Sequence, residues 1–298
     1  MLTHPPSQAS LLRRSTFSSR AYFTFLLDLH QQDWLLPSVS ATVKSDPAAW
    51  MDALMAGLVS SADTGNEELV IAVRAALCEF CERAPANRDA VCAALARNLK
   101  AWQGTDRVLV PTLEVVAFLF HVGIFPRATG VSYKGLCLQA QKACYKTGNV
   151  RKIEACVRVY GAVAELGRDG GDAGSGYTPD ADDGEERTKD NGEERTKVAG
   201  EERTKDAGEE RTKDNGEERT KDAAAEERKK MLDGAAEARA RLAALLYHPW
   251  PRVRSMVVDE LWGVFHAEPA ARGLRGVDWG RAEKAKIKEV VGRLGLVA

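Results

Sequence analysis

Two cysteines three residues apart are the first candidates for chemistry in this sequence. Cys78 and Cys81 form a C-x-x-C pair, the spacing of redox dithiols and of half a zinc site. A redox dithiol uses a helix N-terminus to stabilise its thiolate, whereas this pair falls near the predicted C-terminus of a helix. No second C-x-x-C and no H-x-x-x-H completes a set of zinc ligands. A thiol or zinc protein centred on this pair is therefore the less favoured alternative.

Motifs of other common enzymes are missing from the sequence. No phosphate-binding loop, dinucleotide-binding glycine motif or nucleophile elbow occurs. The other cysteines, Cys92, Cys137, Cys144 and Cys156, are expected to be reduced and mostly buried, because the chain is large and carries no secretory signal. We therefore expect a protein that is not an enzyme and that needs no metal or cofactor.

Aromatic and basic residues near two helix starts are candidates for binding another protein. Trp250 lies between two prolines and beside Arg252 and Arg254, and Trp and Arg dominate interface hot spots. Arg151 and Lys152 begin another predicted helix, a position where a phosphate can bind. A helix cap and a structural arginine explain that second pair without a ligand. These five residues are the candidate interaction site.

Apolar residues recur at helical spacing almost throughout the chain, so the elements that position these candidates are helices. The predicted helices are residues 20–36, 47–60, 66–83, 87–101, 106–122, 131–145, 149–166, 225–247, 251–266 and 280–294. Pro47 and Pro251 fall where a helix begins, and Asp278 is predicted to cap the final helix, which Gly295 closes. The fold class is all-α.

A hydrophobe followed by arginine and small apolar residues repeats along the predicted helices. The arginines are Arg74, Arg151 and Arg254, with a degenerate copy at Pro111, and the first three copies are 37 and 40 residues apart. The last step is also 40 residues once an insert of 63 residues is removed. A period near 40 built from two helices predicts a HEAT or armadillo-like α-solenoid. In such repeats we expect the arginine to brace a turn or the neighbouring repeat.

The insert, residues 168–230, contains an octapeptide array of the GEERTKDN type and almost no apolar side chain. A glycine in every unit and the lack of an apolar stripe predict that it is disordered. The predicted organisation is a disordered lead-in at 1–19, HEAT-like repeats at 20–167, the insert at 168–230, and further HEAT-like helices at 231–298 that complete the same solenoid.

The charge balance and hydropathy exclude several partners. The formal net charge is −1 and the pI is near 6.6, so no bulk field attracts nucleic acid or an anionic membrane. No apolar run reaches the roughly 20 residues that span a bilayer. Residues 1–27 are rich in Ser, Thr and Arg and contain no acid, which overlaps with a mitochondrial transit peptide, although a solvated lead-in to the first helix is favoured.

Four stretches, taken in their order and spacing, resemble the C-terminal region of tubulin-folding cofactor D of the fungal type. They are residues 69–77 (LVIAVRAAL), 106–119 (DRVLVPTLEVVAFL), 146–156 (KTGNVRKIEAC) and 248–262 (HPWPRVRSMVVDELW). The resemblance implies a cytoplasmic, microtubule-associated solenoid that binds β-tubulin, acts with cofactors C and E in heterodimer assembly and in stimulating tubulin's GTP hydrolysis, and binds an Arf-like small GTPase. The family assigns no catalytic residue to cofactor D.

Two features depart from that family. The resemblance covers residues 20–167 and 231–296, which correspond only to the last part of a much longer solenoid, so the amino-terminal repeats are expected to be missing. The octapeptide array has no counterpart in the family pattern. A generic HEAT-repeat adaptor for another protein cargo is the alternative function.

Overall fold

The structure is a computed structural model that describes residues 19–28, 46–64, 67–145, 147–168 and 214–296. Every regular element within these residues is helical, and no strand occurs among them. The predicted all-α fold class is therefore confirmed.

Ten α-helices and two 3₁₀ turns are present in the described residues. They are α1 (Ser19–Asp28), α2 (Pro47–Thr64), α3 (Glu67–Arg83), α4 (Pro85–Ala101), α5 (Asp106–His121), a 3₁₀ turn (Phe125–Arg127), α6 (Tyr133–Cys144), α7 (Val150–Glu165), α8 (Asp214–Leu245), α9 (Pro251–Phe265), a second 3₁₀ turn (Pro269–Gly273) and α10 (Lys284–Arg293). Most predicted helix bounds agree with these to within a few residues.

Helix α8 begins earlier than the sequence pattern predicts. It starts at Asp214 rather than at 225, so residues 214–230, which composition assigns to the disordered insert, are helical. The physical reason is also composition, because between Gly216 and Gly234 the chain is built mostly from Ala, Glu, Arg and Lys, which are strong helix formers. Residues 169–213 of the predicted insert and residues 1–18 of the lead-in lie outside the described residues.

Five of the ten helices in the described residues have a local chemical cause for their start. Proline occupies the first turn of α2, α4 and α9, where its missing N–H costs nothing. The side chains of Ser132 and Asn149 cap α6 and α7 by accepting backbone N–H groups at 3.0 and 3.2 Å. The predicted cap by Asp278 is wrong, because α10 begins at Lys284 and the Asp278 carboxylate accepts instead from the Gly280 N–H at 2.9 Å.

The helices pack in two layers. In one layer α2 contacts α5, α5 contacts α7 and α7 contacts α9, while α4 contacts α6 in the other. Consecutive helices such as α4 with α5 and α6 with α7 join the layers as hairpins. This stacking of helix pairs is compatible with an α-solenoid.

The chain divides into two units. The first comprises Met1–Arg168 and Glu227–Ala298, and its buried apolar side chains form one continuous cluster that runs from Phe23 in α1 to Leu296 after α10. The second unit is Asp169–Glu226, of which the structure describes residues 214–226 as helical. All candidate residues belong to the first unit.

The contact between α7 and α9 contains an ionisable side chain in a mostly apolar interface. A Cβ on Gly161 of α7 would lie 2.0 Å from Glu260 Oε2 of α9, so the missing side chain makes room for the carboxyl group. Burial raises the pKa of Glu260 to about 7, with Asp259 and Glu165 adding to the increase and Arg158 opposing it. Below about pH 7 this carboxyl group therefore favours its protonated form in the folded protein.

We expect Glu260→Gln to stabilise the protein at pH 8 by about 1–3 kcal/mol, on the basis of about 1.4 kcal/mol per pKa unit. Because the folded-state pKa is raised above the ordinary value of 4.5, the contribution of Glu260 is fully present below that value and is lost as pH rises towards 7. Urea unfolding at pH 4.5, 6 and 8 measures the effect. The exposed Glu268→Gln is the control, and equal stability gains at all three pH values in Glu260→Gln would contradict this explanation.

Candidate functional site

The C-x-x-C pair lies on α3 without the environment of a reactive dithiol. Cys81 is buried and Cys78 is partly buried near the C-terminal end of the helix. Burial raises the pKa of Cys81 to about 12 and raises that of Cys78 as well. Both thiols therefore stay protonated at neutral pH, the form that is neither nucleophile nor ligand. Within the described residues no group of three or more His, Cys, Asp or Glu side chains is arranged to hold a metal ion.

Arg151 contacts residues of two neighbouring helices. Its guanidinium donates to both Glu114 carboxylate oxygens of α5 at 2.8 and 2.9 Å and lies 2.7 Å from Asp63 Oδ1 of α2. The Glu114 hydrogen bond and the Asp63 pair raise the pKa of Arg151. The side chain thus connects α7 to α5 and α2, which is the bracing role expected of the repeat arginine.

Lys152 is buried, with 8% of its surface exposed. Its Nζ donates to Asp106 Oδ1 at 2.7 Å, and the Asn149 amide donates to the other oxygen of that carboxylate at 3.1 Å. The Lys152 hydrogen bond holds the pKa of Asp106 below its usual value. With its charge already paired inside the fold, Lys152 joins the start of α7 to the start of α5.

Arg254 is engaged with backbone carbonyls. It donates to Trp279 O at 2.7 Å, Gly280 O at 2.5 Å and His248 O at 2.7 Å. The side chain therefore links the segment before α9 to the chain that precedes α10. Another repeat arginine, Arg74, lies 5.0 Å from the centre of the Phe118 ring, so the same sequence motif serves three different contacts.

The remaining two candidates lie together at the turn between α8 and α9. We call Tyr247, His248, Trp250 and Arg252 the α8–α9 corner. Tyr247 is 41% and Trp250 36% exposed, and the Arg252 side chain is 72% exposed, with Glu154 3.9 Å away as its ion-pair partner. The corner presents two aromatic surfaces and one cation to solvent.

The corner has internal order despite its exposure. The His248 and Trp250 rings meet edge to face with centroids 5.2 Å apart, and the backbone N–H of Trp250 donates to His248 Nδ1 at 3.1 Å. Burial and the nearby Arg254 lower the pKa of His248, which favours the neutral imidazole that can accept this bond. A pre-ordered aromatic pair loses little conformational entropy on binding, which suits an interface anchor.

The sequence pattern did not identify Tyr247 as part of this group. The available signal for an exposed Tyr247 was its position beside the Pro-Trp-Pro turn. A Tyr at the end of an apolar helix otherwise indicates a buried position in the core. Leu232 of α8 and Tyr145 after α6, 47% and 69% exposed, were also not identified. Helical spacing alone does not distinguish an apolar residue facing a neighbour from one facing solvent.

Comparison with known proteins links the first half of the chain to a protein family. Residues 7–152 match the family model described as tubulin folding cofactor D C terminal. No curated protein and no solved structure gives a significant match to the chain. The matched region ends at Lys152, so Trp250, Arg252 and Arg254 lie beyond it. No helix in the described part of the chain is long and apolar enough to cross a membrane.

Proposed function

We propose that this chain, whose residues 7–152 match the tubulin folding cofactor D C-terminal family, is a non-catalytic scaffold that binds β-tubulin in the cytoplasm. The family match is the observation that carries this proposal. A helical stack compatible with a solenoid supports it, because stacked helix pairs offer an extended surface to a large protein partner.

The proposed role is in the assembly of the α/β-tubulin heterodimer after chaperonin release. Cofactors C and E are proposed to act with this chain in that step, and together with them the scaffold supports GTP hydrolysis by tubulin. An Arf-like small GTPase is a further proposed partner, and association with microtubules follows from the tubulin contact. The chemistry of hydrolysis belongs to tubulin in this scheme, so this chain contributes surface rather than catalytic groups.

The α8–α9 corner is the surface that we propose for the tubulin contact. Arg151, Lys152 and Arg254 make close polar contacts within the fold, Arg151 with a side chain that is 53% exposed. Trp250 and Arg252 are exposed as well, and the ion pair of Arg252 is longer, at 3.9 Å. A Trp whose ring is already held by His248 and an arginine whose nearest carboxylate is 3.9 Å away match the composition of interface hot spots.

A pull-down with intact tubulin, repeated with cofactors C and E present, tests the proposed function. We expect the full chain to retain β-tubulin in at least one of these conditions. If neither condition retains tubulin and mass spectrometry identifies a different captured protein, the chain is instead an adaptor for that cargo. The experiment therefore distinguishes the tubulin scaffold from a generic solenoid adaptor.

Substitution of Trp250 tests the location of the surface. We expect Trp250→Ala to weaken tubulin binding about 30-fold, the equivalent of about 2 kcal/mol for a hot-spot residue. Trp102→Ala is the matched control, because Trp102 is 38% exposed and lies in the turn after α4. Equal binding by wild type and Trp250→Ala would place the tubulin contact elsewhere while leaving the scaffold function intact.

A further inference from the structure

Cys144 and Cys156 are neighbours in space although they belong to different helices. Cys144 is the last residue of α6 and Cys156 lies in the middle of α7. Cys156 Sγ is 3.4 Å from the carbonyl oxygen of Ala140, which lies one helical turn before Cys144. The position of the Cys156 Sγ beside the last turn of α6 brings the two thiols close enough for each to affect the pKa of the other.

The two thiols differ in environment. Cys156 is completely buried, whereas Cys144 is partly exposed at the end of its helix. The Cys144 thiol donates to the carbonyl of Gln141 at 3.5 Å, and the Tyr160 hydroxyl nearby donates to the carbonyl of Cys137 at 3.4 Å. A small solute can therefore reach the Cys144 thiol from solvent, whereas the Cys156 thiol is not accessible to it.

From this geometry we infer that Cys144 and Cys156 are a peroxide-sensitive dithiol that closes to an intramolecular disulfide between α6 and α7. The inference does not depend on the proposed tubulin function. It concerns a pair of thiols that does not belong to the C-x-x-C motif. Cys81 of that motif is more deeply buried than Cys144.

The charge environment favours the thiolate on the accessible cysteine. Hydrogen bonds from Cys156 and Tyr160 lower the pKa of Cys144, with a smaller contribution from Arg241, although burial acts against them. The bond to Cys144 and its own burial raise the pKa of Cys156, against a smaller effect of Lys152. These donors offset the carbonyl end of α6, which by itself disfavours a thiolate.

Hydrogen peroxide is the oxidant in the proposed sequence. The Cys144 thiolate attacks one peroxide oxygen, an S–O bond forms as the O–O bond breaks, and the departing hydroxide takes up a proton to become water. The Cys156 sulfur then attacks the Cys144 sulfur, an S–S bond forms, and the hydroxyl group leaves with the Cys156 proton as a second water. The two thiols lose two electrons and peroxide is reduced to two waters.

Thiol counting by mass spectrometry tests the proposal on the folded, full-length chain. After brief exposure to hydrogen peroxide, quenching and alkylation in denaturant, we expect the protein to lose two of its six free thiols. Peptide mapping is expected to place the new bond between Cys144 and Cys156. Retention of all the thiols, or a link in another pair such as Cys78 with Cys81, would overturn the inference.

Two variants separate the roles of the partners. Cys156→Ser should form no disulfide and should accumulate a sulfenic acid at Cys144 that dimedone traps, because the second thiol is missing. Cys78→Ser is the control and should lose the same two thiols as wild type. Dimedone labelling spread over several cysteines in Cys156→Ser would contradict the assigned order of reaction.

Discussion

Gly234→Ala is expected to destabilise the protein by about 2–4 kcal/mol, at the upper end of the range for forcing extra volume into a packed interior. Gly234 is buried in the middle of α8, and a Cβ there would lie 2.4 Å from Tyr133 Cβ and 3.3 Å from the Lys134 backbone N. Both atoms lie close to the α6 main chain, so no side-chain rotation relieves the overlap. The helices must move apart.

The gain in helix propensity from replacing glycine, about 1 kcal/mol, is too small to offset this overlap. Gly263→Ala is the matched control, because Gly263 is an exposed helical glycine in α9 and a Cβ added there would have no atom within 4 Å. We expect Gly263→Ala to be neutral or stabilising by up to about 1 kcal/mol. Chemical unfolding of the two variants and wild type measures both values, and equal stabilities would refute the close α6–α8 contact.

The close approach at Gly234 illustrates which parts of the fold the sequence could predict. Helix positions were predictable because apolar residues repeat at 3.6-residue spacing and because proline and Asn mark several starts. The need for glycine at 234 was not, since it depends on Tyr133, a residue about a hundred positions earlier in the chain. Periodicity describes one helix at a time and carries no information about which backbone lies opposite.

The repeat arginines show the same limit at the candidate site. The sequence predicted that these side chains brace the fold, and the contacts of Arg151 and Arg254 confirm this. It could not predict the partners, because Arg151 pairs with an acid in α2 and Arg254 with carbonyls in the turn before α10. Their shared motif therefore led to a candidate interaction list that includes Arg151 and Arg254, although both make close contacts within the fold.

The net charge of −1 is the sum of an acidic segment and a basic remainder of the chain. Residues 169–226 contain 20 acidic and 10 basic side chains, so the rest of the chain carries a net charge of +9. Composition averaged over the whole sequence predicted no electrostatic preference for a partner. The first unit is basic in its own right, and this favours an acidic partner at physiological pH.

Arg254→Met should cost about 3 kcal/mol of stability, whereas Arg252→Met, two residues away on the same helix, should change stability by less than about 0.5 kcal/mol. The Arg254 guanidinium donates to carbonyls of Trp279, Gly280 and His248, and its removal leaves these acceptors without their charged donor. Among the described residues the ion-pair partner of Arg252 is Glu154 at 3.9 Å, and so long a surface pair contributes little.

The pair of arginines also separates folding from binding. Thermal unfolding should show a lowered midpoint for Arg254→Met alone, while tubulin binding by Arg252→Met should fall with the fold intact, because its side chain belongs to the exposed α8–α9 corner. Binding by Arg254→Met measured well below its unfolding midpoint should be reduced less than by Arg252→Met. The reverse pattern, with Arg252→Met unstable and Arg254→Met selectively weak in binding, would contradict these assignments. Arg252 would then be the structural arginine and Arg254 the one that contacts tubulin.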